Sequence, residues 1–280
     1  MLRLENGTSD RIFRMSEARI GTSAFTAEGW VGAFYPEGMK PADFLSFYAT
    51  KFNTVEVDST FYRTPALKVV EGWYSKTPKD FVFALKVPQV ITHEKVLVYA
   101  EDDLRHFLQA ADLLKEKLGP LLFQFGYFNK GAFKDQAAFL DRLTPFLKKL
   151  PKDYKFAIEI RNKYWIDQKY TDLLREHGVC MALIDQSLVL RPWEMKKLSL
   201  DNLITADFAY LRWLGDRKGI ESLTKTWDKT IIDKEGDLTK WVEITRQLVK
   251  KNLNVYAYAN NHYAGHGPNT VKLFWKLFES

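Results

Sequence analysis

Val255–Asn269, VYAYANNHYAGHGPN, passes from a buried-strand pattern through a polar, glycine-rich turn to a proline that opens a helix. A strand, a loop and a helix in that order form the repeating unit of a parallel sheet. The strand tip delivers Asn260, Asn261 and His262, and the loop carries Gly265, His266 and Gly267 toward Pro268.

Seven other strand-like runs precede it: Ile20–Ala24, Thr54–Asp58, Phe81–Val87, Leu121–Gly126, Lys155–Arg161, Val179–Asp185 and Ala209–Leu214. Between them, apolar residues recur at three- and four-residue spacing over 41–52, 65–76, 102–118, 133–150, 168–177 and 238–252, with a last helix over 268–278 and a shorter candidate at Arg191–Leu198. Pro41, Pro65 and Pro268 suit first helical positions, Thr64 suits a cap, and Gly119 and Gly178 suit helix ends. Eight alternating units predict an α/β chain forming a single (β/α)8 TIM barrel over 1–280. Its polar lead-in spans 1–18, and its long patternless loop spans 215–237, after strand seven.

Composition narrows the class. With 280 residues and 46% hydrophobic content the chain can bury a large core, and its net charge of +6 is dispersed among acidic residues, with no basic tail. The single cysteine, Cys180, lies in an apolar run and reads as a core thiol, so no internal disulfide forms. No apolar stretch has the length of a signal peptide or a membrane span, and a cytoplasmic location is expected.

Four segments, GTSAFTAEGWVGAFYP (Gly21–Pro36), FNTVEVDSTFYRTP (Phe52–Pro65), FAIEIRNKYW (Phe156–Trp165) and YAYANNHYAGHGP (Tyr256–Pro268), together resemble the YecE-like family, domain of unknown function 72. The resemblance spans nearly the whole chain and implies a TIM-barrel fold, without an assigned activity. Gly126 and Tyr127 stand where prolines commonly follow the fourth strand in that family.

In a barrel, alternate strand residues point inward and the site lies at the strands' C-terminal ends. With Val55, Val57, Phe156, Ile158 and Ile160 facing outward, Glu56, Asp58, Glu159 and Arg161 face in. The same parity turns Lys86, Gln124, Arg212, Tyr258 and Asn260 inward, and Asp185 is assigned to the same mouth. So many charges cannot stay unpaired in an interior. They form either a structural ion-pair layer or a pocket in which Lys86, Arg161 and Arg212 hold an anion while Glu159, Asp185 or Glu56 moves protons. Gln124, Tyr258 and Asp58 would help line it. A second anion cradle is expected at Asn260, Asn261 and the glycine-lined start of the last helix.

The leading reading is an acid–base hydrolase, lyase or isomerase acting on a small polar or anionic, possibly phosphate-bearing, substrate. No cofactor is predicted. Glu56, Asp58, Glu159 and Asp185 are oxygen donors of the kind magnesium takes, yet lysine and arginine at similar depth argue against a required metal. His262 and His266 read as exposed loop histidines, and Trp30, Trp165 and Trp213 as pocket-lining aromatics. Phosphate-loop, dinucleotide and serine-hydrolase motifs are missing. Alternatives are a nucleic-acid-binding or phosphodiester-processing barrel, prompted by Arg217, Lys218, Lys225 and Lys229, and a non-catalytic interaction protein.

Overall fold

The structure is a computed structural model and describes residues 18–280; the expected lead-in lies outside the described residues apart from Ala18, which opens the first strand. The described residues form nine strands: β1 (Ala18–Thr22), β2 (Thr54–Val57), β3 (Val82–Lys86), β4 (Leu118–Gln124), β5 (Phe156–Glu159), β6 (Cys180–Met181), β7 (Leu183–Gln186), β8 (Phe208–Gly215) and β9 (Asn254–Ala259). Every ladder between them is parallel. They form two sheets, in the orders β2-β3-β4-β5-β6 and β1-β9-β8-β7.

The sheets are joined through what the sequence shows as one strand. Ala182 interrupts it, so that Cys180 and Met181 pair with β5 while Leu183–Gln186 pair with β8. At the other junction β1 lies against β2 without a ladder. The Tyr48 hydroxyl bridges the two, accepting from Thr22 N at 2.9 Å and donating to Thr54 O at 3.1 Å. Glycine is needed at 21 here, because a Cβ would lie 2.1 Å from Thr54 O. This parallel α/β arrangement agrees with the expected class and is compatible with a (β/α)8 barrel.

Strands covered on both faces must be apolar on both. Val55, Val57, Phe83, Leu85, Leu121, Phe123, Phe156, Ile158, Leu211 and Val255 belong to the large core shared with the helices. Ala84, Leu122, Ala157, Cys180, Ile184, Tyr210 and Tyr258 form a smaller inner core. The strand parity read from sequence therefore holds for β2, β3, β4, β5, β8 and β9. Cys180 is a buried free thiol.

The helices are α1 (Phe44–Tyr48), α2 (Leu67–Ser75), α3 (Glu101–Ala111), α4 (Gln136–Lys149), α5 (Gln168–Glu176), α6 (Leu200–Leu203), α7 (Arg217–Leu223), α8 (Glu235–Lys250), α9 (Asn261–Ala264) and α10 (Gly267–Glu279). In α3, Leu104, Phe107, Leu108 and Ala111 make the buried stripe expected of helical spacing. Asp135 and Asp167 cap α4 and α5 by accepting from Ala138 N and Tyr170 N. None of the described helices is long and apolar enough to cross a membrane.

Several local expectations fail. Gly119 lies inside β4, while Gly178 does follow α5 with a positive φ of 65°. Thr64 is no cap: α2 starts behind Ala66, without a side-chain cap bond. In place of a helix over 191–198 there is a short turn, Pro192–Glu194, followed by α6. The long loop after strand seven contains α7, a helix too short and too poor in apolar residues to show a periodic stripe.

Candidate active site at the strand ends

Arg212 is the hub. Its Nε and Nη2 donate to Glu56 Oε1 at 3.1 and 2.7 Å, its Nη1 donates to Glu159 Oε2 at 2.6 Å, and Nη2 also reaches Asp58 Oδ1 at 3.4 Å. Glu56 lies on one sheet and Arg212 on the other, so this pairing ties the two sheets together. Tyr210 donates its hydroxyl to Glu56 Oε2 at 2.5 Å, and Arg161 Nε donates to Glu159 Oε1 at 3.1 Å. Glu56 and Glu159 are wholly buried. Isolated carboxylates at that depth would cost several kcal/mol each, and the guanidinium offsets that cost only because its geometry is good.

The two wholly buried carboxylates on Arg212 are driven in opposite directions. Burial raises Glu56, with Asp58 adding to the rise, and Arg212 offsets this only in part. Burial also pushes Glu159 up, but Arg212 and Arg161 together outweigh it and hold that carboxyl below the usual range. Two environments that separate a pair of carboxylates in this way are a common feature of acid–base sites.

Nearer solvent, Lys86 ends β3 and Asp58 follows β2, with Nζ 3.4 Å from Oδ1. The Lys86 ammonium also lies 4.3 Å from the centre of the Phe61 ring, a cation–π distance. Lys86 is only 8% exposed, and among the described residues its Nζ has no hydrogen-bond partner. Arg161 uses Nε on Glu159, which leaves its two terminal amino groups without a partner among the described residues. Gln124, opposite Glu159 in the ladder, donates to Phe125 O at 2.7 Å.

Other expected members lie elsewhere. Asp185 faces outward, because its neighbours Ile184 and Ala182 take the inner positions. Its carboxylate accepts from Arg191 Nε at 2.8 Å, Trp241 Nε1 at 2.8 Å and Tyr263 OH at 3.1 Å, on the helix side of β7. Tyr258 does face inward, bonded to Thr54 Oγ1 at 2.9 Å and fully buried. The asparagine cradle is filled by the chain itself. Asn260 donates to Ser23 Oγ and accepts from His262 N, while Asn261 Oδ1 accepts from Trp30 Nε1 and Gly267 N. Ile231 N and Ile232 N donate to Ala264 O, which brings the long loop down over this turn.

The two histidines of that loop are not exposed. His266 is 1% exposed, edge-on to Trp30, and His262 is half-buried, with Nε2 3.1 Å from Glu221 Oε1. The tryptophans pack: Trp213 is buried against Phe274 and Trp165 stacks on Phe139. Sequence reasoning missed His93. It sits on the single turn Val90–Glu94, closed by Lys95 N donating to Val90 O, and contacts Phe61 edge-on at 5.0 Å. A histidine shortly after a strand ending in lysine was the only sequence signal for it.

Among the described residues no group of three or more His, Cys, Asp and Glu is arranged to hold a metal ion. A surface hollow of about 570 Å³ lies on the outside, between α3 and α4, lined by Leu97, Arg142, Phe146 and Lys149. It has no convergent buried polar groups, and the chemistry points instead to the strand ends.

Fold and site together define a parallel α/β protein with a paired charge cluster at the C-terminal ends of its strands. That architecture hosts many unrelated activities, so it fixes a class and leaves the chemistry open. The chain belongs to the DUF72 family, described as "Protein of unknown function DUF72", which matches residues 19–280. It is 27% identical to the UPF0759 protein YecE of Escherichia coli (strain K12) over 187 residues, 61% of this chain and 66% of that protein, just under two thirds of its length. Among solved structures it resembles a DUF72 family protein from Thermotoga maritima, with a TM-score of 0.71, 26% identity and coverage of 94% of this chain and 99% of that one. A DUF72 protein from Enterococcus faecalis gives 0.69 at 20% identity, covering 94% and 96%.

Proposed function

We propose that this chain is an enzyme that binds a small polar or anionic molecule at the strand ends and acts on it by metal-independent acid–base chemistry. The observation that carries the reading is the Lys86 ammonium, nearly buried and without a hydrogen-bond partner among the described residues. A cation held by one 3.4 Å ion pair to Asp58, with the terminal amino groups of Arg161 unengaged beyond the end of β5, offers a seat for an oxyanion. A purely structural ion layer accounts for Glu56, Glu159 and Arg212; Lys86 joins it only through the 3.4 Å pair with Asp58, which leaves its ammonium donors open to a ligand.

Arg212 spends its donors on carboxylates, so it organises the seat and does not bind the ligand. Asp58, with 30% of its side chain exposed, is the carboxylate nearest solvent and takes the proton-transfer role. Glu159 keeps Arg161 and Arg212 in position. Lys86→Met and Arg161→Ala should each weaken sulfate binding, measured calorimetrically, at least about tenfold, the lower range for a lost charge-assisted contact. Unchanged affinity in both variants would remove the proposal.

A second reading draws on Tyr62, Tyr127 and Tyr164, which follow β2, β4 and β5 and are 72%, 65% and 84% exposed. Exposed rings around a basic seat suit stacked bases, which favours a nucleic-acid-binding or phosphodiester-processing role. Oligonucleotide affinity should then fall steeply with salt, and absent or salt-insensitive binding excludes it.

A further inference from the structure

His93 lies in a place that the acid–base reading leaves vacant. In the sheet β4 stands between β3, which ends in Lys86, and β5, beyond which lies Arg161. Just past β4 comes Gly126, and a Cβ built there would meet His93 Nε2 at 3.5 Å and Cδ2 at 3.8 Å. The imidazole therefore reaches across to the strand end between the two cations. Its other nitrogen, Nδ1, is 2.8 Å from Thr92 Oγ1, and Thr92 is wholly buried, which fixes the ring. Phe61 holds it from the side, and the same phenyl ring carries the Lys86 ammonium. The glycine leaves Nε2 uncovered where any larger residue would place carbon against it.

We infer that His93 is the second proton-transfer group of this site, with Nε2 directed at an oxyanion-bearing substrate seated on Lys86 and Arg161. The inference rests on the anion seat proposed above. In the tautomer in which Nδ1–H donates to Thr92 Oγ1, Nε2 presents its lone pair. A hydroxyl or acidic C–H bond of the seated substrate then breaks heterolytically, the proton passing to Nε2 and the electron pair staying on the substrate.

The charged groups facing the ring are Lys86 from β3, Arg161 from beyond β5 and Glu94 on its own turn. Burial first, and then the two cations, hold the imidazole below the ordinary histidine value, with Glu94 opposing. An anion placed between Lys86 and Arg161 opposes that field. Binding and protonation are then coupled: the anion raises the titration midpoint of His93, and protonated His93 tightens the anion by the same factor.

The probe is inorganic sulfate, which does not titrate near neutral pH, and the readout is the imidazole nitrogen resonances of the full chain followed from pH 5 to 8. Sulfate should move the His93 midpoint upward by about one pH unit, as expected for an opposite charge within contact range. His106 should not move. The shift should vanish in Lys86→Met and in Arg161→Ala, and His93→Asn should bind sulfate with an affinity that no longer rises as pH falls. Sulfate binding that depends on Lys86 and Arg161 but leaves the His93 midpoint unmoved overturns the role of His93 and spares the seat. No sulfate binding overturns both.

Discussion

Two buried carboxylate–arginine networks stand on opposite sides of the strands. On the helix side, Asp185 takes Arg191, Trp241 and Tyr263, and both of its oxygens are filled. On the inner side, Glu56 and Glu159 share Arg212, yet Lys86 and the end of Arg161 are left over at the rim. The residue types are nearly the same. One network closes on itself while the other keeps paired cations with donors to spare beside solvent, and spare donors, more than charge as such, mark the candidate site.

The comparison breaks first at Arg212. Replacing it with methionine leaves Glu56, Glu159 and Asp58 without their shared partner, and removing one side of a buried pair costs about 3–5 kcal/mol. Urea unfolding of Arg212→Met should show a loss in that range, and a near-neutral result would mean that the cluster is hydrated and far from a dry core.

Asp185→Asn tests the closed network more gently. The amide still offers an oxygen to the Trp241 and Tyr263 donors but loses the charge facing Arg191, so a loss of about 1–3 kcal/mol is expected. Thermal unfolding checks it, and sulfate affinity should stay at the wild-type value. A fall in affinity with the fold intact would mean that the two sides communicate.

The smallest effect is a difference in pH response. Glu159 lies below its unfolded value, so its contribution is present above the ordinary carboxylate range and is lost as pH falls through the folded value. Glu56 lies above its unfolded value, so its contribution is present below that range and is lost as pH rises through the folded value. Urea midpoints measured against pH should therefore show that Glu159→Gln flattens the acid limb and Glu56→Gln removes a loss on the way to neutrality. Each changes the slope by at most about 1.4 kcal/mol per pH unit. Identical profiles for the two variants would place both carboxylates in one environment.

Much of this was legible in the sequence, because buried parallel strands leave few polar positions and those must turn inward together. Glu56, Lys86, Gln124, Glu159 and Arg212 each interrupt an otherwise apolar strand, which reveals their side. Asp185 could not be placed in that way. Cys180–Ile184 is apolar on both faces, so nothing marks the parity until Trp241 and Tyr263 are seen to supply donors from behind. The loop Gly265–Pro268 suggested open polar groups, yet the long loop descends onto it through backbone bonds to Ala264, which no side-chain pattern encodes. His93 depends on a single irregular turn and has no periodic signature.

The seam between β1 and β2 bears on the order in which the chain is assembled. β2 to β6 pair successively as they are made, whereas among the described residues β1 forms a ladder only with β9, Ala18 opposite Val255. The first strand must therefore wait for the last before its edge is covered, and pairings so distant along the chain are slow to form. During synthesis the five-stranded sheet can form early while β1 stays unpaired, its edge open until β9 has been made.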